Sequence, residues 1–242
     1  ADADTLRLEE ANLSLNLVHS DDMLAKDGEM SVNSLLTKKL SDLVKALDPT
    51  RPVTAGCNEP APGNHLFKSG ALDIIGYNYH NANIPDVPKN FPGKPFIITE
   101  SNSALATRGY YRMPSDKELL WPERWDKPFY DSSFSCSSYD NCHAPWGNTH
   151  EETLKLVRDN DFVSGQYVWT GFDYIGEPTP FGWPARSSYF GIVDLAGFPK
   201  DTYYLYQSEW SEEQVLHLFP HWNWKPGQVV YMRCYYNKAD EV

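Results

Sequence analysis

No stretch of this 242-residue chain approaches the roughly 18 consecutive apolar residues of a membrane-spanning helix. Nor does it open like a secretory leader, because Ala1-Asp2-Ala3-Asp4 is acidic and no apolar core follows. Basic charge is scarce: 21 Lys and Arg stand against 33 Asp and Glu, for a net charge of −12. That balance argues against a nucleic-acid footprint, which is basic, and against an anionic lipid surface. A neutral or cationic ligand fits better, although acidity also aids solubility. Cysteine is sparse too. Cys57, Cys136, Cys142 and Cys234 form no CxxC and no repeated ligand pair. With His143, Cys136 and Cys142 make only three candidate ligands at irregular spacing, so zinc is a weak reading and free thiols are expected. Neither a cofactor nor a metal is expected.

What the chain has in quantity is aromatic rings: 8 Trp, 15 Tyr and 11 Phe, 14% of the residues. Such faces suit the C–H surfaces of sugar rings, although most aromatic residues serve a core or an interface. Apolar and charged shares of 41% and 22% are those of a globular protein. The length allows one large domain or slightly more.

Hydrophobic periodicity orders the chain. Residues 1–30 are polar, with a patchy apolar rhythm through Leu13, Leu15, Leu17 and Met23. Leu35, Leu36, Leu40, Leu43, Val44 and Leu47 then recur at helical spacing, with Ser31 as N-cap and Asp48-Pro49 as the stop. Strands are expected over 52–56, 72–77, 96–100 and 164–169, and further helices near 66–69, 149–160 and 201–209. Residues 101–148 read as a long irregular segment, whose length suggests function and whose aromatic density argues against disorder. The alternation is that of a parallel α/β fold. After Val215 it gives way to antiparallel strands, at 217–219 and 229–235, about a Lys225-Pro226-Gly227 turn. The chain stops within that pattern, so its C-terminus is expected to be cut.

The sharpest local feature is Lys94-Pro95-Phe96-Ile97-Ile98-Thr99-Glu100, an apolar strand that ends in a carboxylate. A charge there is costly to desolvate unless it faces a polar mouth. In parallel α/β folds catalytic groups gather at the C-terminal mouth of the sheet. Glu100 is therefore the leading candidate for chemistry, and a partnered structural Glu is the alternative.

Five motifs, in order and spacing, carry a resemblance. DPTRPVTAG (48–56), LDIIGYNYH (72–80), KPFIITES (94–101), GQYVWTGFDYIGEP (165–178) and SSYFGIVDLAGFPK (187–200) resemble the later half of the catalytic barrel of glycoside hydrolase family 2, the β-galactosidase and β-glucuronidase group. HLFPHWNW (217–224) and YYNKADEV (235–242) are similar to the start of the β-sandwich that follows it. The resemblance covers nearly everything from residue 31 onward. It implies the C-terminal half of a TIM (β/α)8 barrel over 1–212, then the first strands of an immunoglobulin-like β-sandwich over 213–242. Glu100, Tyr79 and Trp169 are then expected on one rim. Two cut edges would leave either a companion chain or substantial exposed apolar surface.

The resemblance also implies a retaining mechanism with Glu100 as nucleophile and Tyr79 as the phenol that aims it. Trp169 would floor the sugar site. Asp173 and Glu177 would bind sugar hydroxyls or brace their loop, and Asn78 and His80 are weaker candidates for substrate contact. The second carboxyl of a retaining pair lies about 5 Å away and protonates the leaving oxygen. The family's Asn-Glu pair for that role is not matched. Asn58-Glu59 sits in a Pro-rich loop at the wrong spacing, so the general acid is expected upstream of Ala1. Glucuronidases carry Asn and Lys where this chain has Ser188 and Phe190, which favours a neutral sugar, galactose by default. Arg112 or Arg124 leaves an acidic sugar open. Expected partners are a carbohydrate substrate and the missing N-terminal half of the enzyme, with an oligomer allowed and neither nucleic acid nor membrane. The alternatives are a non-catalytic carbohydrate-binding or structural remnant of the barrel, or another barrel glycosidase.

Overall fold

The computed structural model describes residues 30–241; the rhythm through Leu13 and Met23 lies outside them. The chain divides into two compact units, Ala1–Glu100 with Asn160–Gln166, and Ser101–Asp159 with Tyr167–Val242.

In the first unit, helix α1 (Val32–Leu47) starts where the sequence places it, with the Ser31 hydroxyl accepting from the Ser34 N–H at 3.1 Å. Its buried residues are Ser34 and Ser41, whose hydroxyls donate to the carbonyls of His65 and Ala71 at 2.9 and 3.0 Å. The leucine stripe faces away: Leu36, Leu40 and Leu43 are about half exposed and Leu47 is 81% exposed. Substantial apolar surface is thus open among the described residues. A four-residue helix follows, α2 (His65–Lys68), capped by the Asn64 side chain.

Strand β1 (Ile75–Asn78) is buried throughout and runs parallel to β2 (Phe96–Asn102), pairing Ile75 with Phe96 and Tyr77 with Ile98. Between them lie a 3-10 turn (Asn81–Asp86) and helix α3 (Val87–Asn90). Tyr77, fully buried, packs edge-on to Phe96 and beside Phe67, and its hydroxyl donates to the Pro60 carbonyl at 3.0 Å. Phe96 also meets Phe162. These rings, not the leucines of α1, make the core of this unit.

The strand expected over 52–56 does not form. Pro52 has no N–H to give, and the Val53 N–H is captured by the Asp73 carboxylate at 2.8 Å. The segment still lies close against β1. A Cβ on Gly76 would stand 2.5 Å from the Ala55 carbonyl oxygen and 2.8 Å from both Thr54 Oγ1 and Thr99 Cγ2.

In the second unit, β3 (Leu119–Leu120) and β4 (Cys142–His143) are two-residue strands that pair in parallel within the long segment. The rest of it is irregular yet packed: Leu105, Cys136, Cys142 and Ala144 are buried with Phe181 and Phe190. All four cysteines are free thiols. Helix α4 (His150–Arg158) is capped twice, by Thr149 and by the buried Asp140 carboxylate, which accepts from the His150 and Glu151 N–H groups at 3.0 and 2.6 Å. Burial pushes Asp140 up to about 6 and His150 down to about 3.

The last expected strand, β5 (Val163–Trp169), completes a three-stranded sheet in the order β1-β2-β5. Helix α5 (Asp201–Trp210) packs Leu205 and Tyr206 against Phe219 and Tyr235 of an antiparallel pair, β6 (Leu216–Phe219) and β7 (Arg233–Tyr236). β7 begins four residues later than the apolar pattern suggests.

Gly76→Ala is expected to lower stability by about 1–3 kcal/mol, because the backbone carbonyl of Ala55 must move. Gly182→Ala, with nothing within 4 Å of the added carbon, should change it by less than about 0.5 kcal/mol. Denaturant unfolding of the two variants checks the contrast.

Candidate functional site

The site candidates of the first unit gather where β1 ends beside β2, which runs on two residues past Glu100 to Asn102. A register shift between Tyr77 and Asn78 brings Asn78 opposite Glu100. The chain then turns sharply, with Tyr79 at φ 58° and His80 at φ 57°. Two consecutive left-handed residues, neither of them glycine, cost about 1–3 kcal/mol each and need surroundings that hold them. Those surroundings are visible. The Tyr79 N–H donates to the Glu100 carbonyl at 2.6 Å, and the Tyr79 hydroxyl donates to Glu100 Oε2 at 2.9 Å. His80 Nε2 lies 2.5 Å from the Asn58 carbonyl oxygen, and the His80 carbonyl accepts from the Asn83 N–H at 2.9 Å.

Glu100 and Tyr79 are both half-buried, so the carboxylate has a polar partner and keeps access to solvent. Asn78 is buried, and its Oδ1 accepts from Thr99 Oγ1 at 2.7 Å, which ties β1 to β2 across the register shift. Asn58 and Glu59 stand in the adjoining loop, where the Cys57 thiol and the Asn64 amide both donate to the Glu59 carbonyl.

The second unit holds the other candidates. Trp169 ends β5, and its peptide bond to Thr170 is cis. Its ring packs edge-on to Tyr174 at 6.0 Å. The Tyr174 hydroxyl in turn donates to Glu177 Oε2. Glu177 is exposed, whereas Asp173 is committed inward. Asp173 Oδ1 accepts from the Gly191 N–H at 2.8 Å, and Oδ2 pairs with Lys200 Nζ at 2.8 Å. Lys200 is 1% exposed and also donates to the carbonyls of Ala106 and Tyr189 at 2.7 and 3.2 Å. Of the two readings for Asp173, this geometry is that of a brace. Burial raises the Asp173 carboxyl and lowers the Lys200 ammonium despite their pairing.

Lys200 and Tyr174 were not singled out from the sequence. A lysine after Phe-Pro carries no mark of burial, and a tyrosine inside a Gly-rich loop looks like any other aromatic residue. Ser188 and Phe190 are both buried: Ser188 accepts from the Tyr174 N–H at 3.1 Å, and Phe190 fills the core. Arg112 pairs with Asp131 at 2.9 Å, and Arg124 with Asp126 at 2.7 Å.

Across all 242 residues the chain is 80% identical to the protein named β-galactosidase BoGH2A from Bacteroides ovatus, covering 28% of that protein. The chain belongs to glycoside hydrolase family 2. It is also 35% identical, over 225 residues, to a protein of Formosa agariphila provisionally named a β-glucuronidase, of which it spans 20%. Among solved structures, a β-glycosidase from Bacteroides vulgatus superposes with a TM-score of 0.67 at 30% identity, covering 87% of this chain and 28% of that one. The chain thus spans less than a third of the length of these relatives. No protein-family model matches it. Among the described residues no helix is long and apolar enough to cross a membrane.

Asp173→Asn leaves the Lys200 charge buried without its counterion and is expected to cost about 3–5 kcal/mol. Glu177→Gln, at an exposed position, should cost less than about 0.5 kcal/mol. Equal unfolding midpoints for the two variants would contradict the bracing role.

Proposed function

We propose that this chain is the part of a retaining β-glycosidase that carries the nucleophile, and that Glu100 is that residue. The observation that carries the reading is the Tyr79 hydroxyl on Glu100 Oε2 at 2.9 Å, beside the point where β1 ends against β2. A phenol fixed to one carboxylate oxygen aims the other at a sugar carbon. In the first step Glu100 Oε1 bonds to the anomeric carbon as the glycosidic C–O bond breaks, and the leaving oxygen takes a proton from the general acid. In the second, water attacks the same carbon, gives its proton to that residue, now the base, and releases Glu100.

The acid is assigned outside these 242 residues, in the remaining part of a protein whose relative is more than three times as long. The fold assigned to the whole is a TIM barrel, with residues 1–212 as its later half and 213–242 opening a β-sandwich. Trp169, backed by Tyr174, is assigned the floor of the sugar site, with Glu177 beside it as a hydroxyl acceptor. Galactose is the preferred sugar. The 80% identical relative is named a β-galactosidase, and the positions of Ser188 and Phe190 offer no cation and are buried. A β-glucuronidase-like specificity is the second reading, favoured only by the name of the 35% identical relative.

In the full-length protein, Glu100→Gln should lower kcat by about 10⁴-fold with KM little changed, and Glu59→Gln by less than about tenfold. A 2-deoxy-2-fluoro-β-galactoside should leave its sugar on the peptide containing Glu100 in a mass map. A label on Glu59 or Glu177 would overturn the assignment. No turnover and no label on any β-glycoside would favour the non-catalytic remnant.

A further inference from the structure

His80, a weaker candidate for substrate contact, places its Nε2 against the Asn58 carbonyl oxygen. We propose that His80 is a positioning residue: its ring pins the turn after β1 to the Asn58 carbonyl and thereby sets where the Tyr79 hydroxyl meets Glu100. The proposal rests on the reading of Glu100 as nucleophile.

A carbonyl oxygen only accepts, so the contact at 2.5 Å requires the hydrogen on His80 Nε2. With that N–H committed to the chain, His80 has no Nε2 donor left for a sugar hydroxyl. The contact is placed where the backbone most needs one. Tyr79 and His80 are both left-handed, a conformation that side chains other than glycine rarely adopt unless the surroundings impose it. The carbonyl and the carboxylate of Glu100 hold Tyr79. His80 adds a hold one residue further on, and its own carbonyl starts the 3-10 turn by accepting from Asn83.

The loop it grips is itself tied down. The Asn78 N–H donates to the Cys57 carbonyl at 2.9 Å, and the Cys57 thiol donates to the Glu59 carbonyl at 3.0 Å. The ring therefore pulls against a fixed point. Gly56 lies against the same point: a Cβ there would come within 2.7 Å of Asn78 Oδ1, so a side chain at this position would displace the Asn78 amide. Without the ring, the turn is free to leave the left-handed region, and the Tyr79 hydroxyl leaves Glu100 with it.

The test uses the full-length protein with an aryl β-galactoside, and compares His80→Phe, His80→Gln, Tyr79→Phe and the His80→Phe/Tyr79→Phe double variant. His80→Phe keeps a ring without the donor and should lower kcat about 10- to 100-fold, with KM changed less than about twofold. His80→Gln keeps an N–H at similar reach and should recover most of that loss. In the Tyr79→Phe background, His80→Phe should add nothing further, because His80 acts through Tyr79. A raised KM at unchanged kcat would mean that His80 touches substrate, and additive losses would mean that it acts elsewhere; either overturns the proposal. Should His80→Phe fail to fold, His80→Gln against the shorter His80→Asn makes the same comparison, and equal kcat values would overturn it. A fluorosugar label away from Glu100 in the wild type would sink the nucleophile reading, whereas a label on Glu100 with additive losses would sink only the role of His80.

Discussion

The contact between the Tyr79 hydroxyl and the Glu100 carboxylate is the interaction on which the rest of the first unit converges. It exists because β1 and β2 run parallel and slip register after Tyr77, so that the last residue of β1, Asn78, stands opposite Glu100. It also exists because the chain accepts two left-handed residues in succession to bring the phenol back over the strand end. A turn of that kind is stable only when its neighbours over-determine it. Here they do: Gly76 leaves no room for a side chain against the Ala55 carbonyl, Gly56 lies against the Asn78 amide, and Asn78 and Thr99 lock the two strands. Several close contacts of this unit thus bear on one hydrogen bond.

The second unit is organised by a different constraint, a lysine with almost no access to water. Lys200 gathers Asp173, Ala106 and Tyr189 from three stretches of irregular chain. Burying an ammonium is costly unless its donors are all matched. The matching therefore dictates how the loop after Trp169 lies, and with it the Trp169–Tyr174–Glu177 relay. A long segment with only two-residue strands stays ordered because its carbonyls and rings are used this way, with Asn141 donating to the carbonyls of Ser115 and Lys117 as a further tie.

Much of this was legible in the residues, and where reading failed the cause is physical. Helix α1 was placed correctly by its leucines and its Ser31 cap, yet its buried face is the serine face. Periodicity locates a helix but does not say which stripe is covered, and small hydroxyl side chains that donate to neighbouring carbonyls allow the closer approach. The strand over 52–56 was lost to a side chain, since Asp73 takes the N–H that a ladder would need. Glu100 and Tyr79 were paired in the reading because a carboxylate after an apolar run is conspicuous and because the motifs around both resemble family 2. Their side chains do meet, although the strand runs on to Asn102. Lys200 was not found, since only three-dimensional contact distinguishes a buried lysine from a solvated one. His80 was seen as a residue of interest, but a sequence cannot show that its ring turns to the backbone.

The most direct test of the central claim is a crystal structure of the full-length protein after reaction with a 2-deoxy-2-fluoro-β-galactosyl fluoride. The account predicts an ester between the sugar and Glu100 Oε1, with the Tyr79 hydroxyl still within hydrogen-bond reach of that residue and Tyr79 and His80 still left-handed. An ester on a different carboxylate, or a Tyr79 hydroxyl turned away from Glu100 in the trapped state, would contradict it.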